Sequence, residues 1–448
     1  VFAPGHLGEL TQIVPGEMVD AVLAETGRTQ RRVRLLPSRV VVYFVLAAAL
    51  FTGVGYRLVW AKLTAGLDGQ VQPGPSASAL RQARRRVGAH PLRALFELLA
   101  GPLAWRTTPG AWWRGLRVVA VDGTTMAVPD SNANRAWAGK HRSANQGGTA
   151  LAGYPLVRLV TLVECGTRAV LAAVFGPPAS GELDYTMRLV SRLRAGMVLL
   201  ADRNFDAGDF LAAVSATGAE LLVRLKANRR PALIGRYRDG SIGSIIAGVP
   251  VRIIEATITV TGADGTRRAE HYRLVTTLLD TEGYPAEQLI RLYHDRWEIE
   301  SAYLALKHTI LDGHILRSGE PAGLSQELWA LLTVYQILRI AMVNATDSRP
   351  GTDPDRAAFT VALHTARDQL INARNVIAAT VIDLIGTIGR HILDNLLPTR
   401  QPRTSPRTVK RPLSAYAYHK PTTPTSKITI HITITDAATS PLTRHNPP

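Results

Sequence analysis

The chain has 448 residues, 46% apolar and 19% charged, an ordinary globular balance that excludes a wholly disordered or fibrous protein and predicts two to four domains. Its net charge of +17, from 52 Lys and Arg against 35 Asp and Glu, favours polyanionic partners, with nucleic acid ahead of an anionic membrane surface. Only one cysteine is present, Cys165, which excludes internal disulfides and thiolate zinc clusters and predicts a reducing cytoplasm.

The chain begins at Val1, so an initiator methionine is expected upstream, and the first residues lack the basic-then-apolar pattern of a signal peptide. Val1–Gln70 reads as all-helical, with helical apolar spacing over Thr11–Thr29 and a basic cluster at Arg31–Arg34. Pro37-Ser38 can cap the uncharged run Val40–Tyr56. That run is shorter than the roughly 20 residues of a membrane span, so a buried helix is expected there. After the turn-rich Gly69–Ser78, a Ser-capped helix at Ala79–Val87 carries Arg81, Arg84, Arg85 and Arg86. It suits docking on a DNA backbone or, equally, a solvated basic face. Pro91–Trp105 is a further amphipathic helix.

Strands follow. Leu116–Val121 is a short β-branched run that ends at Asp122-Gly123-Thr124. Leu156–Val163 and Thr167–Phe175 are two more strands, joined by a turn at Cys165-Gly166. Asp184–Leu193 is helical, and Gly196–Ala201 is a buried strand ending at Asp202. Helix Ala207–Ala216 and strand Leu221–Leu225 complete the α/β alternation. Strand-like Pro250–Thr261 and His271–Thr277, with a turn at Ala263-Asp264-Gly265, make 229–285 a β-rich insertion. Helices return at Pro285–His308 and Ser325–Met342, with at least two more between Asp355 and Leu397. The Pro/Thr-rich basic tail is expected to be disordered apart from a strand-like run at Lys427–Thr435.

Within Leu289–Ile310, free of Pro and Gly, stand Tyr293, Arg296, Glu300 and Lys307. On a uniform α-helix these four share an arc of about 60°, whereas Glu298 projects away. An acid would then keep company with two cations and a phenol, as expected where a metal ion meets a phosphodiester; spaced surface ion pairs are the plain alternative. Asp122 and Asp202, each directly after a buried strand, add two carboxylates at strand ends, where α/β ligand sites gather. Three carboxylates without His or Cys select a hard cation, Mg²⁺ or Mn²⁺, over zinc.

These stretches resemble the DDE transposases of the insertion-sequence-4 family. The matching stretches are VDGT at Val121–Thr124, GYPLVRLVTLVECGT at Gly153–Thr167 and LLADRNF at Leu199–Phe205. The family's Y-x2-R-x3-E-x6-K signature falls on Tyr293, Arg296, Glu300 and Lys307. The N-terminal GHLGELTQIVPGEMVDAVLAE and PRTVKRPLSAY at Pro406–Tyr416 are also similar to family segments, whereas the tail beyond Tyr416 has no counterpart. The resemblance implies an α/β, ribonuclease H-like catalytic core at 111–228 and 286–345, interrupted by the β-rich insertion at 229–285. Around it stand an all-α, DNA-binding N-terminal domain (1–110), a helical C-terminal region (346–398) and the tail (399–448). It implies that Asp122, Asp202 and Glu300 hold two Mg²⁺ or Mn²⁺ ions and that Tyr293, Arg296 and Lys307 grip DNA phosphates. It also implies nicking at terminal inverted repeats, then strand transfer into target DNA, with a hairpin intermediate in some relatives. A homodimer on DNA, a cytoplasmic, nucleoid-associated location and no membrane association go with it. The alternative is a catalytically retired DNA-binding protein occupying element ends.

Overall fold

The computed structural model describes residues 5–30, 32, 34–67, 74–139, 153–261, 267–372, 385–399 and 429–435. In chain order the helices are α1 (Gly16–Glu25), α2 (Ser38–Leu50), α3 (Tyr56–Thr64), α4 (Ala77–Val87), α5 (His90–Leu99), α6 (Asn132–Ala138) and α7 (Glu182–Met187). After them come α8 (Gly208–Ala216), α9 (Ala286–Tyr293), α10 (Glu298–Leu304), α11 (Pro321–Asp347), α12 (Phe359–Asn372) and α13 (Gly386–Asp394). The strands are β1 (Trp112–Trp113), β2 (Leu116–Ala127), β3 (Leu156–Glu164), β4 (Val170–Gly176), β5 (Met197–Ala201) and β6 (Glu220–Arg224). They continue with β7 (Gly235–Arg236), β8 (Ile242–Ile246), β9 (Val249–Thr261), β10 (Arg267–Thr276) and β11 (Thr429–Ile434). The chain folds as two compact units. One comprises 1–112, 122–189 and 298–400; the other comprises 113–121, 190–297 and 401–448.

In the first unit α2 is apolar on nearly every face and almost wholly buried, as such a sequence requires. It is shorter than expected: it stops at Leu50, ahead of Gly53 and Gly55, and α3 begins at Tyr56. Ser38 is its first helical residue rather than its cap, and Pro37, in extended conformation, starts the turn without a side-chain bond. Helix α5 ends at Leu99 instead of Trp105, because Pro102 follows closely. The 27-residue α11 starts with Pro321 in its first turn and packs against α2, α5 and α13. Among the described residues it is the one helix long and apolar enough to cross a membrane, and 89% of its most apolar window is buried inside the protein. Strands β3 and β4 form an antiparallel hairpin with Leu159 opposite Phe175, and Gly166 (φ 82°) supplies the left-handed turn residue.

In the second unit residues 117–120 of β2 run parallel to β5, and β5 runs parallel to β6. The insertion does not stand apart from these strands. β10 pairs antiparallel with β6, placing Val275 opposite Val223, and β9 pairs with β10 along its length. On the other edge of β9, β8 covers 249–253 and β11 covers 256–261. The strand-like run expected in the tail is therefore β11. The Ala263-Asp264-Gly265 turn, the PRTVKRPLSAY segment and most of the tail lie outside the described residues.

Candidate active site

Asp122 lies inside β2 rather than after it. The buried run Val118–Val121 gives way at Asp122 to half-exposed positions, but the strand continues to Ala127. The change in sequence texture thus marks a change of environment, not a strand end. The Asp122 Oδ1 accepts a 2.8 Å hydrogen bond from Gly123 N–H. A Cβ at Gly123 would overlap the Glu182 side chain, so any larger residue there would have to displace that carboxylate. From α10, the buried Tyr303 hydroxyl donates to the Asp122 carbonyl oxygen at 2.6 Å and accepts from Thr161 N–H and Oγ1 at 3.2 and 2.9 Å. Burial raises the Tyr303 phenol well above its ordinary pKa, so the hydroxyl keeps the proton it donates. Lys307 Nζ reaches Thr124 Oγ1 at 3.3 Å, two residues beyond Asp122.

In the second unit Asp202 follows β5 directly, as expected. It caps a short 3₁₀ turn (Arg203–Phe205), its Oδ1 accepting from Asn204 N–H at 2.8 Å. Tyr293 is buried, and burial pushes its phenol up to about 12, against the lowering influence of Arg296 and Arg224; Asp202 pushes in the same direction as burial. The Arg296 guanidinium stands 6.0 Å from the Tyr293 ring centroid. This unit therefore gathers Asp202, Tyr293 and Arg296, with Tyr293 held as a neutral O–H donor throughout the physiological pH range.

The signature stretch is helical but not one α-helix. After α9 comes a 3₁₀ turn at His294–Trp297, then α10, then a π-turn at Ala305–Ile310. His294 explains the first change. Its ring Nδ1 bonds Ile290 O at 2.9 Å, while its backbone N–H turns to Arg291 O and Leu292 O. The side chain takes the carbonyl that α-helical pairing would have used. Because the 3₁₀ and π-turns depart from 100° per residue, the uniform-face expectation does not hold. Tyr293 and Arg296 are buried, and Glu300 is exposed.

The separation of Glu300 from Glu298 does hold, for a reason the helical wheel did not contain. Glu298 is a structural partner of the buried Arg168, at 2.5 Å from its Nε, and Arg168 also pairs with Asp355. Sequence reasoning missed Tyr303, Glu182 and Arg168, and placed Thr124 only within the VDGT stretch. Only Tyr303 left a signal, being three residues from Glu300 and so a neighbour on its helix.

The arginines of α4 divide between the interior and the surface: Arg84 is buried, Arg86 half-buried, and Arg81 and Arg85 are exposed. Ser76 Oγ caps the helix through Ala79 N–H. Arg84 is buried against Glu327 at 2.7 Å, Arg85 pairs with Glu320 at 2.5 Å, and Arg86 donates to Leu36 O at 2.8 Å. Arg84 and Arg86 thus brace the first unit, while Arg81 and Arg85 keep a solvated basic face. Arg28, Arg81, Arg84, Arg85, Arg93 and Arg317 nevertheless wall a recess of about 880 Å³ in that unit. Carboxylates pair with Arg84, Arg85 and Arg93, while Arg28 and Arg317 donate to backbone carbonyls.

Among the described residues no group of three or more His, Cys, Asp or Glu side chains is gathered closely enough to hold a metal ion. The chemistry of the donors does suit a hard divalent cation: Asp122 and Asp202 are half-exposed, Glu300 is exposed, and all three offer oxygen alone.

Comparison with known proteins gives the following matches. The family described as "Insertion element 4 transposase N-terminal" matches residues 4–97, and "Transposase DDE domain" matches residues 113–337. The chain is 26% identical over 417 residues to the transposase InsG for insertion sequence element IS4 of Escherichia coli K12, covering 90% of this chain and 92% of that one. It is 30% identical over 206 residues to InsZ of the same organism, named as a transposase, covering 46% of this chain and 66% of that one. A piggyBac transposase synaptic complex with hairpin DNA aligns at a TM-score of 0.44 and 11% identity, covering 90% of this chain and 87% of that one.

Proposed function

Because the chain belongs to the DDE transposases of the insertion-sequence-4 family, and is a DNA transposase, we propose that it nicks the ends of its element and joins them to target DNA through Asp122, Asp202 and Glu300. The observation that carries this reading is the docking of the signature's second half on the strand of the first acid. Lys307 reaches Thr124 at 3.3 Å and Tyr303 reaches the Asp122 carbonyl at 2.6 Å, across more than 180 positions of sequence.

Divalent ions bound by the three acids, two of them and Mg²⁺ or Mn²⁺ by this reading, would supply the Lewis acidity that activates a water or DNA 3′-hydroxyl and stabilises the leaving oxygen. The chain's own side chains orient the DNA. Arg296 offers a forked contact to a phosphate, Lys307 a point charge, and Tyr293 an uncharged O–H donor. The local bond to Gly123 N–H fixes the Asp122 carboxylate, and that to Asn204 N–H fixes Asp202, before any substrate arrives.

The reading extends to domains and partners. The N-terminal helices (1–110) bind the terminal inverted repeats, the catalytic core spans 111–228 and 286–345, and 229–285 is an insertion into it. Two copies act together on paired ends in the cytoplasm. The arginine-walled recess supports DNA binding by the helical region.

Two salt-dependence experiments test the contacts. Lys307→Ala should flatten the dependence of log affinity on log salt by about 0.9, one phosphate's worth, for a cleaved-end duplex. Arg28→Ala with Arg81→Ala should flatten it by up to about 1.8 for an uncut end. An unchanged slope in either case removes the corresponding contact from the account.

A further inference from the structure

Tyr303 is used by neither the expected acid triad nor the phosphate-binding signature, yet its hydroxyl makes three hydrogen bonds beside Asp122. A phenol has one proton to give and room to accept two hydrogen bonds. Tyr303 fills all three places: it donates to Asp122 O and accepts from Thr161 N–H and Thr161 Oγ1. The bonds join three elements at one atom, namely α10, which carries Glu300, β2, which carries Asp122, and β3. Its partner on β2 is the main chain of the very residue whose carboxylate is expected to act, so the bond constrains the Cα from which that carboxylate projects. On α10 Tyr303 stands three residues from Glu300, almost one turn along the same rigid helix.

We propose that Tyr303 is a positioning residue that fixes the spacing of the Asp122 and Glu300 carboxylates and thereby the affinity of this acid pair for a divalent cation. The inference rests on the reading that Asp122 and Glu300 hold metal. Groups that orient metal-binding side chains without touching the metal typically contribute 10- to 100-fold in affinity. Tyr303→Phe keeps the ring in the core and deletes only the three bonds.

The test is Mn²⁺ binding to the full-length protein, followed by titration calorimetry, alongside the Mn²⁺ dependence of nicking. Tyr303→Phe should weaken Mn²⁺ binding about tenfold or more and move the nicking curve to higher Mn²⁺ by a similar factor. Tyr335→Phe is the control for simple loss of a buried hydroxyl. That side chain is also buried, donates to Arg168 O at 2.8 Å and accepts from Arg339 Nε at 3.0 Å. It should melt at lower temperature yet bind Mn²⁺ as the parent does. If Tyr303→Phe does not fold, Thr161→Val keeps the phenol and its bond to Asp122 while removing one partner, and should shift Mn²⁺ affinity in the same direction by less.

Asp122→Asn separates the two ideas. If it binds Mn²⁺ like the parent, the assignment of Asp122 to the metal fails. If it loses Mn²⁺ binding while Tyr303→Phe, or Thr161→Val where that variant stands in, titrates like the parent, the positioning role is overturned. Equal weakening by Tyr303→Phe and Tyr335→Phe would also overturn it, by reducing the effect to general destabilisation.

Discussion

Glu300→Ala or Asp122→Ala should lower divalent-ion-dependent nicking of an element end by about a thousandfold or more, because members of a catalytic set act as a unit and losing one loses most of the rate. Binding of the uncut end should persist or tighten, since each change removes a negative charge near a polyanion. Glu298 supplies the contrast. Two residues away, its carboxylate is committed to Arg168 at 2.5 Å. Glu298→Ala should therefore reduce stability and leave the chemistry of the remaining folded protein intact. A gel-based nicking assay on equal amounts of folded variant decides the matter. Parental cutting by Glu300→Ala together with none by Glu298→Ala would reverse the assignment.

Arg168→Met should destabilise the first unit by about 3–5 kcal/mol, the cost expected when one partner of a buried ion cluster is removed. Its side chain is 5% exposed, and those of Glu298 and Asp355 are each 16% exposed, so water cannot replace the lost cation cheaply. The residue also holds a left-handed backbone conformation (φ 58°), strained for a side chain with a Cβ and kept in place by these pairs. Urea unfolding followed by far-UV circular dichroism measures the loss. A change under about 1 kcal/mol, the range of exposed ion pairs, would mean that the cluster contributes little to the fold.

Much of the architecture could be read in advance where period and burial agree. The short apolar runs in LRVVAV and GMVLLA read as buried strands, and Val118–Val121 of β2 and Met197–Ala201 of β5 are buried throughout. The alternating run near Lys427 is β11. Errors came where a side chain competes with the backbone or a strand outlasts its apolar part. His294 converts the middle of the signature helix to a 3₁₀ turn through a side-chain bond that no periodicity encodes. Asp122 looked like a strand end because its residue type changes there, while the backbone of β2 runs on to Ala127.

The sequence alone determined the chemistry on offer: which residues are carboxylates, which are cations, their order, and the excess of positive charge for a phosphate-rich partner. Those properties belong to single residues and their neighbours along the chain, so linear spelling suffices. Only tertiary structure decided that Arg168 takes both Glu298 and Asp355, that Tyr303 ties α10 to the Asp122 main chain, and that the α4 arginines pair with Glu320 and Glu327. Each of these is a bond between residues at least 130 positions apart. Its energy depends on a distance of a few ångströms, which packing fixes and which no local pattern records.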